Sequence, residues 1–197
     1  RSDALGEVLG AERLWLKRDD LTGFAWGGNK VRAIEFLLGD ALARGATHVV
    51  LASGPSSNFA ALLAVAAGQR GLGVHQVAYG VEPSNRISAL AIARTAGATV
   101  TFTGSSDRES MEVVAGEVAA TLATRGSIPY RVPRGGASAI GALGYLEAAL
   151  ELVTQFAEIA GPDQPVDLVV PLGSGGTTAG LLAGLSLVGF AARRKLS

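Results

Sequence analysis

The chain has 197 residues, 48% of them apolar and 17% charged, a balance opposite to that of disordered segments and sufficient for the core of one full domain or two small ones. Its 17 basic and 17 acidic residues cancel, and no basic patch answers a phosphate backbone, which argues against nucleic acid as a partner. It has no cysteine, so disulfides and thiolate metal sites are excluded, a composition that suits the cytoplasm.

The apolar period changes repeatedly along the chain. Leu14-Trp15-Leu16-Lys17 predicts a strand. Residues Asn29 to Arg44 predict a helix with Val31, Ile34, Leu37, Leu38 and Leu42 on one face. His48 to Ala52 reads as a buried strand, and Ser57 to Arg70 as a helix with Ser57 or Asn58 near its cap. A strand over Val74–Tyr79, a helix over Asn85–Thr95 and a strand over Thr99–Thr103 follow. Next come a helix over Arg108–Thr124, an extended piece Tyr130-Arg131-Val132 and a long helix over Ala139–Ile159. The series closes with a strand over Val166–Pro171 and a helix over Thr177–Leu187. Alternation of this kind predicts an α/β fold with a parallel sheet, because each helix returns the chain to start the next strand. Leu168 to Ala192 carries no charge and is long enough to span a bilayer. Pro171 and the run from Gly173 to Thr178 divide it into a short strand and a short helix, so we reject a membrane span.

Three loops at the carboxyl ends of predicted strands or the starts of helices could carry chemistry, since ligands of open α/β sheets gather there. The first is Trp26-Gly27-Gly28-Asn29-Lys30. The only lysines are Lys17, Lys30 and Lys195, and a lysine amine, unlike a guanidinium, can form an imine with a carbonyl cofactor. The plain alternative is a solvated lysine, at a helix start where the dipole disfavours a cation. The second is Ser53-Gly54-Pro55-Ser56-Ser57-Asn58, which could bind a carboxylate or could simply cap the helix. The third, Leu172 to Gly180, exposes glycine N–H groups at a helix start, suiting phosphate or another anion, or a plain turn. It is not a P-loop, and Thr178 stands where a dinucleotide fingerprint needs its last glycine. His48 and His75 sit at the entering ends of strands, remote from Ser57, so a Ser–His relay is not expected. No His/Asp/Glu cluster has metal-ligand spacing, and Asp19-Asp20 reads as a structural pair.

Taken in order, these motifs resemble the pyridoxal-phosphate enzymes of the tryptophan synthase β-like fold (fold type II). Within that fold they resemble the branch of D-cysteine desulfhydrase and 1-aminocyclopropane-1-carboxylate deaminase. The likeness runs through Leu16 to Gly23, Gly27-Gly28-Asn29-Lys30-Val31-Arg32, Ser57-Asn58, Gly141 to Tyr145 and Gly173 to Thr177. It implies that pyridoxal 5'-phosphate is held as a Schiff base by Lys30. It also implies that Ser57 meets the substrate carboxylate and takes part in catalysis, with Ser56 and Asn58 in the same loop. Asn58 would bind the ring hydroxyl, and Gly173, Ser174, Gly175, Gly176 and Thr177 would cup the phosphate. A small amino acid would be the substrate, with D-cysteine the best single expectation, and a homodimer is the family's usual state. The family's two lobes would correspond to residues 1–32 with 135–197 (the larger, incomplete here) and 33–134 (the smaller).

The sequence departs from the pattern on the substrate side. Ser56 replaces a glutamine, Phe59 a polar residue and Ala33 a basic one. Tyr79 to Pro83 lacks the tryptophan of the deaminases, which favours the desulfhydrase. Cyclopropane ring opening, β-replacement and a non-catalytic ligand-binding relative are the alternatives. Because Leu187 runs directly into an apparent strand at Val188–Ala192, where a connection usually takes about two to six residues, a chain break is expected near Leu187. A further segment is expected beyond Ser197.

Overall fold

The computed structural model describes residues 1–85, 87–161, 164 and 166–189. Four parallel strands, β1 (His48–Ala52), β2 (Gly73–Ala78), β3 (Thr99–Phe102) and β4 (Pro129–Val132), form one sheet in the order β3-β2-β1-β4. The register places His48 opposite Gly73 on one side and Pro129 on the other, and His75 opposite Thr99. Parallel strands need crossovers, and the helices provide them. These are α3 (Asn58–Gly68), α4 (Ser88–Thr95) and α5 (Ser110–Thr124); α1 (Asp3–Leu9) and α2 (Lys30–Ala43) precede the sheet, and α6 (Ala139–Ala160) and α7 (Gly176–Leu187) follow it. Short 3-10 turns lie at Asp19–Leu21 and Arg134–Gly136.

Alternation along β1 divides the core. Val49 and Leu51 face one side with Leu37, Leu38, Phe59, Leu62 and Leu63 of α2 and α3. Val50 and Ala52 face the other with Met111, Ala115 and Leu122 of α5. Leu37, Leu62 and Leu63 are almost wholly buried, so truncating any of them to alanine costs about 2–5 kcal/mol. A third cluster, Tyr145, Ala148, Ala149, Leu181 and Leu185, joins α6 to α7.

The α/β fold with a parallel sheet is therefore as the sequence indicates, and helix boundaries agree to within about three residues. Three strand expectations do not hold. Leu14–Lys17 is extended but joins no sheet, and Val166–Pro171 reduces to a single bridge residue at Leu168. Both have strand-like side chains, but a strand exists only where a neighbour completes its ladder. At Val188 the helix ends in a turn closed by the Gly189 N–H to the Ser186 carbonyl, 3.1 Å. The backbone is continuous there, so the expected break near Leu187 is not found, and residues 190–192 of the expected strand lie outside the described residues. Helix α1 has no counterpart among the sequence-based expectations.

The uncharged run after Leu168 is divided as expected, into an extended segment and the 12-residue α7. Among the described residues one helical stretch, Arg134–Ala160, is long and apolar enough to cross a membrane by length and composition. It is a core helix. α2 packs on one side of it and α7 on another, and Glu151 in its middle forms ion pairs with Lys17 and Arg32.

Candidate active site

The site is organised by the first half of α6. This helix starts at Ser138, whose hydroxyl accepts the Gly141 N–H at 3.1 Å. On one side Gly144 meets α2 so closely that a Cβ would lie 2.2 Å from the Arg32 carbonyl oxygen. On another, Gly180 of α7 lies against α6, where a Cβ would come within 2.2 Å of the Ala142 carbonyl oxygen and 2.6 Å of Tyr145 Cβ. Just before α6, Gly136 touches Phe59 in the first turn of α3, a Cβ there lying 2.9 Å from its ring. The first halves of α2 and α7 thus pack on the first turns of α6, and the start of α3 packs on Gly136 just before them; Lys30, Ser57-Asn58 and Gly173–Thr177 lie at or just before these three helix starts.

Lys30 is the first residue of α2. The preceding turn needs its glycines: Gly27 and Gly28 have φ of 70° and 99°, and a side chain on Gly27 would lie 2.2 Å from the Asp20 carbonyl oxygen. Among the described residues the lysine hydrogen bonds and ion pairs belong to Lys17, and Lys30 Nζ has none.

Ser57 is the N-cap of α3, its hydroxyl oxygen accepting the Ala60 N–H at 3.2 Å. The capping role is therefore real. It leaves the hydroxyl hydrogen free to donate, and Ser56 and Asn58 are exposed on either side of it. Beneath this loop Gln76 is buried and its amide donates to Ser53 Oγ at 3.0 Å and to the Gly54 carbonyl at 3.4 Å. Tyr79 closes over Gly54, its ring 3.4 Å from where a Cβ would stand. Phe59 does not line the substrate side as expected. It is 3% exposed and belongs to the core, because the second residue of α3 turns inward onto Gly136.

Gly175 caps α7 with φ 85° and has no side chain to satisfy the first N–H groups. A Cβ at Gly173, Gly175 or Gly176 would meet nothing within 4 Å, so the loop faces open space, and Gly173 and Ser174 are exposed. An anion is favoured there by the free N–H groups and the helix dipole.

One network at the site is not legible from spacing. Asp19 Oδ1 accepts from Arg32 Nε at 3.1 Å and Nη2 at 3.0 Å, and Asp19 Oδ2 accepts from the Tyr145 hydroxyl at 2.5 Å. Arg32 continues to Glu151 at 2.8 Å, and Lys17 reaches Glu151 at 2.7 Å. Burial first, then the bond to Asp19, raises the Tyr145 hydroxyl well above its ordinary value, so it stays a donor. Burial alone would lower Arg32, but its bonds to Asp19 and Glu151 outweigh that and hold it above its ordinary value. The bond to Lys17 first, and Arg32 with it, overcome burial and lower the Glu151 carboxyl. His48 opens β1, at the end of that strand opposite to the one that leads to Ser57, and His75 lies in the middle of β2 beside Val50, their rings 5.6 Å apart.

Residues 1–194 match the family described as pyridoxal-phosphate dependent enzyme. The chain belongs to this family. It is 40% identical over 187 residues to a Pyrococcus abyssi protein provisionally named 1-aminocyclopropane-1-carboxylate deaminase, covering 93% of this chain and 54% of that one. It is 39% identical over 187 residues to a D-cysteine desulfhydrase of Salmonella choleraesuis, covering 92% and 55%. Among solved structures, an ACC deaminase homologue superposes with a TM-score of 0.81 at 38% identity, over 94% of this chain and 55% of the other. A threonine deaminase superposes with a TM-score of 0.67 at 26% identity, over 93% and 53%. The chain thus spans about half the length of these relatives.

The cofactor that names the family is an aromatic aldehyde bearing a phosphate. The residues present fit it. Among the described residues, an amine without a side-chain partner and an uncapped glycine loop over open space stand at the starts of the two helices that pack on the N-terminal half of α6.

Proposed function

We propose that this chain carries the cofactor- and substrate-binding elements of a pyridoxal-phosphate dependent lyase acting on a small amino acid, D-cysteine first. The observation that supports the reading is that the helices starting at Lys30, Asn58 and Gly176 pack, through Arg32, Phe59 and Gly180, on Gly136 and the first turns of α6. Lys30 Nζ would hold the cofactor covalently and, released by the incoming substrate amine, take the proton from the substrate α-carbon. When bound, the cofactor supplies a sink for the electrons left on that carbon. The Ser57 hydroxyl and the N–H groups of the first turn of α3 would bind the substrate carboxylate. Asn58 would bind the ring hydroxyl, and Gly173, Ser174, Gly175, Gly176 and Thr177 would hold the phosphate. Loss of sulfide from the β-carbon, followed by hydrolysis, converts D-cysteine and water to pyruvate, ammonia and sulfide. The assignment of residues 1–32 and 135–197 to one lobe and 33–134 to another belongs to the same reading. The separate cluster that joins α6 to α7 supports it.

The relative named for deamination of 1-aminocyclopropane-1-carboxylate supports a second reading, ring opening of that substrate. Tyr79 to Pro83, which has no tryptophan, favours D-cysteine. The test is borohydride reduction in the presence of pyridoxal phosphate, peptide mapping, and a two-substrate assay. The expected results are a pyridoxyl group on Lys30 and sulfide with pyruvate from D-cysteine. Label on Lys17 would refute the site. Ammonia from the cyclopropane substrate with no sulfide from D-cysteine would exchange the two readings, and a labelled Lys30 with no turnover of either would leave a binding protein.

A further inference from the structure

We infer that Asp19 is a positioning residue that fixes the Lys30 amine for covalent attachment of the cofactor. The inference rests on the reading of Lys30 as the cofactor lysine. A turn built on two left-handed glycines is intrinsically loose, and Lys30 Nζ has no side-chain partner of its own among the described residues. Its position therefore depends on what holds the backbone on either side. Asp19 holds both. Upstream, its carbonyl oxygen accepts the Gly28 N–H at 2.9 Å, while the Asp20 carbonyl blocks Gly27 from behind. Downstream, its carboxylate grips Arg32, two residues beyond Lys30, through two nitrogens at 3.1 and 3.0 Å.

The remaining carboxylate oxygen goes to Tyr145 at 2.5 Å. That bond ties the lysine turn to α6, and Tyr145 is also the residue that Gly180 of α7 packs against. Asp19 therefore sets the lysine in register with the helix start proposed to hold the phosphate. The side chains of Asp19 and Arg32 are only 18% and 16% exposed, so the grip is not one of the loose surface pairs that contribute little. Arg32 is also neutralised in place, by Asp19 and Glu151, and adds little free positive charge beside the lysine.

Positioning separates from general stability when two ligands are compared: pyridoxal phosphate, and 4'-deoxypyridoxine 5'-phosphate, which has the same ring and phosphate but no aldehyde. The wild-type chain should bind the aldehyde more tightly, because only it bonds to Lys30. In Asp19→Asn, affinity for pyridoxal phosphate should fall by about tenfold or more, since misplacement of a reacting group by 1 Å can cost up to about a hundredfold. Affinity for the deoxy compound should change by less than about twofold, the size of an ordinary surface effect. Arg32→Lys, which breaks the two-nitrogen grip on Asp19 and leaves the Gly173–Thr177 loop untouched, should show the same split to a smaller degree, and serves if Asp19→Asn fails to fold. Parallel loss of both ligands, or no loss of either, in the folded variants would overturn the positioning role. If instead the wild-type chain shows no preference for the aldehyde, the assignment of Lys30 itself falls, and this inference with it.

Discussion

Two glycine-to-alanine changes, chemically identical, should have opposite effects. Gly39 lies within α2, exposed, with nothing within 4 Å of where a Cβ would be built. Alanine there gains helix propensity and restricts the unfolded chain, stabilising by about 0.5–1 kcal/mol. Gly144 lies within α6 and would gain the same amount. Its new Cβ, however, would stand 2.2 Å from the Arg32 carbonyl oxygen and 2.5 Å from its carbon. Ordinary carbon contacts are about 3.5–4.0 Å, so α2 must retreat by roughly 1 Å or more. A backbone carbonyl cannot rotate away as a side chain would, so the cost falls at the upper end of the ~1–3 kcal/mol range for overpacking. The net expectation is destabilisation by about 1–2 kcal/mol, or roughly 2–8 °C in Tm for a chain of this size. Urea unfolding measures both variants, and the midpoint should rise for Gly39→Ala and fall for Gly144→Ala at constant slope. Gly144→Ala should also weaken capture of pyridoxal phosphate, because the retreating helix begins at Lys30. Midpoints that move together would show that α2 and α6 are not in close contact at this glycine.

Three further outcomes are expected. Ser57→Asp keeps an N-cap on α3, so stability should change by less than about 0.5 kcal/mol. It also places a negative charge where the substrate carboxylate is proposed to bind, so KM should rise while cofactor capture persists. An unchanged KM would remove Ser57 from the substrate site. His75 is held below its ordinary value of 6.5 by burial first and by His48 second. Folding therefore prefers its neutral form, and stability present above about pH 6.5 is lost as the pH falls through the folded value. His75→Gln should flatten that acid limb in urea midpoints, and an unaltered slope would refute the assignment. The Tyr130 hydroxyl is pushed up to about 12, from 10.0, by burial and by its bond to Asp40. Its contribution is present below about pH 10 and lost between there and about pH 12. Tyr130→Phe should abolish that alkaline loss, and phenolate absorbance should track it in the wild-type chain.

How much of this can be read from the sequence depends on where each element finds its partners. A helix closes its own hydrogen bonds, so the periodicity of residues 30–43, 58–68 and 139–160 is enough to locate α2, α3 and α6. A strand does not: Leu14–Lys17 reads as a strand but joins no ladder, and Val166–Pro171 pairs at Leu168 alone. The three ligand loops are legible because each is a short local motif at a helix start. The network around Asp19 is not. Its carboxylate meets Tyr145 at a separation of 126 residues, and no local pattern encodes such a contact. The sequence reads Asp19-Asp20 as one structural pair, but the two residues differ in the fold: Asp20 pairs with exposed Arg18 at 2.6 Å, whereas Asp19 turns inward to Arg32 and Tyr145. Phe59 misleads because its neighbours Ser57 and Asn58 are polar and its own burial depends on Gly136, far along the chain.

The placement of the site follows from small residues on two sides of one helix. Along α6, Gly141 and Gly144 face the segment before the helix and α2, while Ala142, Tyr145, Leu146 and Ala149 face α7. Helices approach this closely only where side chains are nearly absent, and here the contacts fall at the start of α2, through Arg32, and along α7, through Gly180 and Gly184. The helices that begin at the amine and at the loop proposed to bind the phosphate are thereby both packed on α6. Tyr145 lies between those two contacts and carries a polar bond that crosses from α6 to the turn preceding the lysine. The chemistry proposed for Lys30 therefore depends on packing at Gly144 and Gly180 as much as on the reactive residue. A substitution that leaves every site residue in place can still separate amine from phosphate loop.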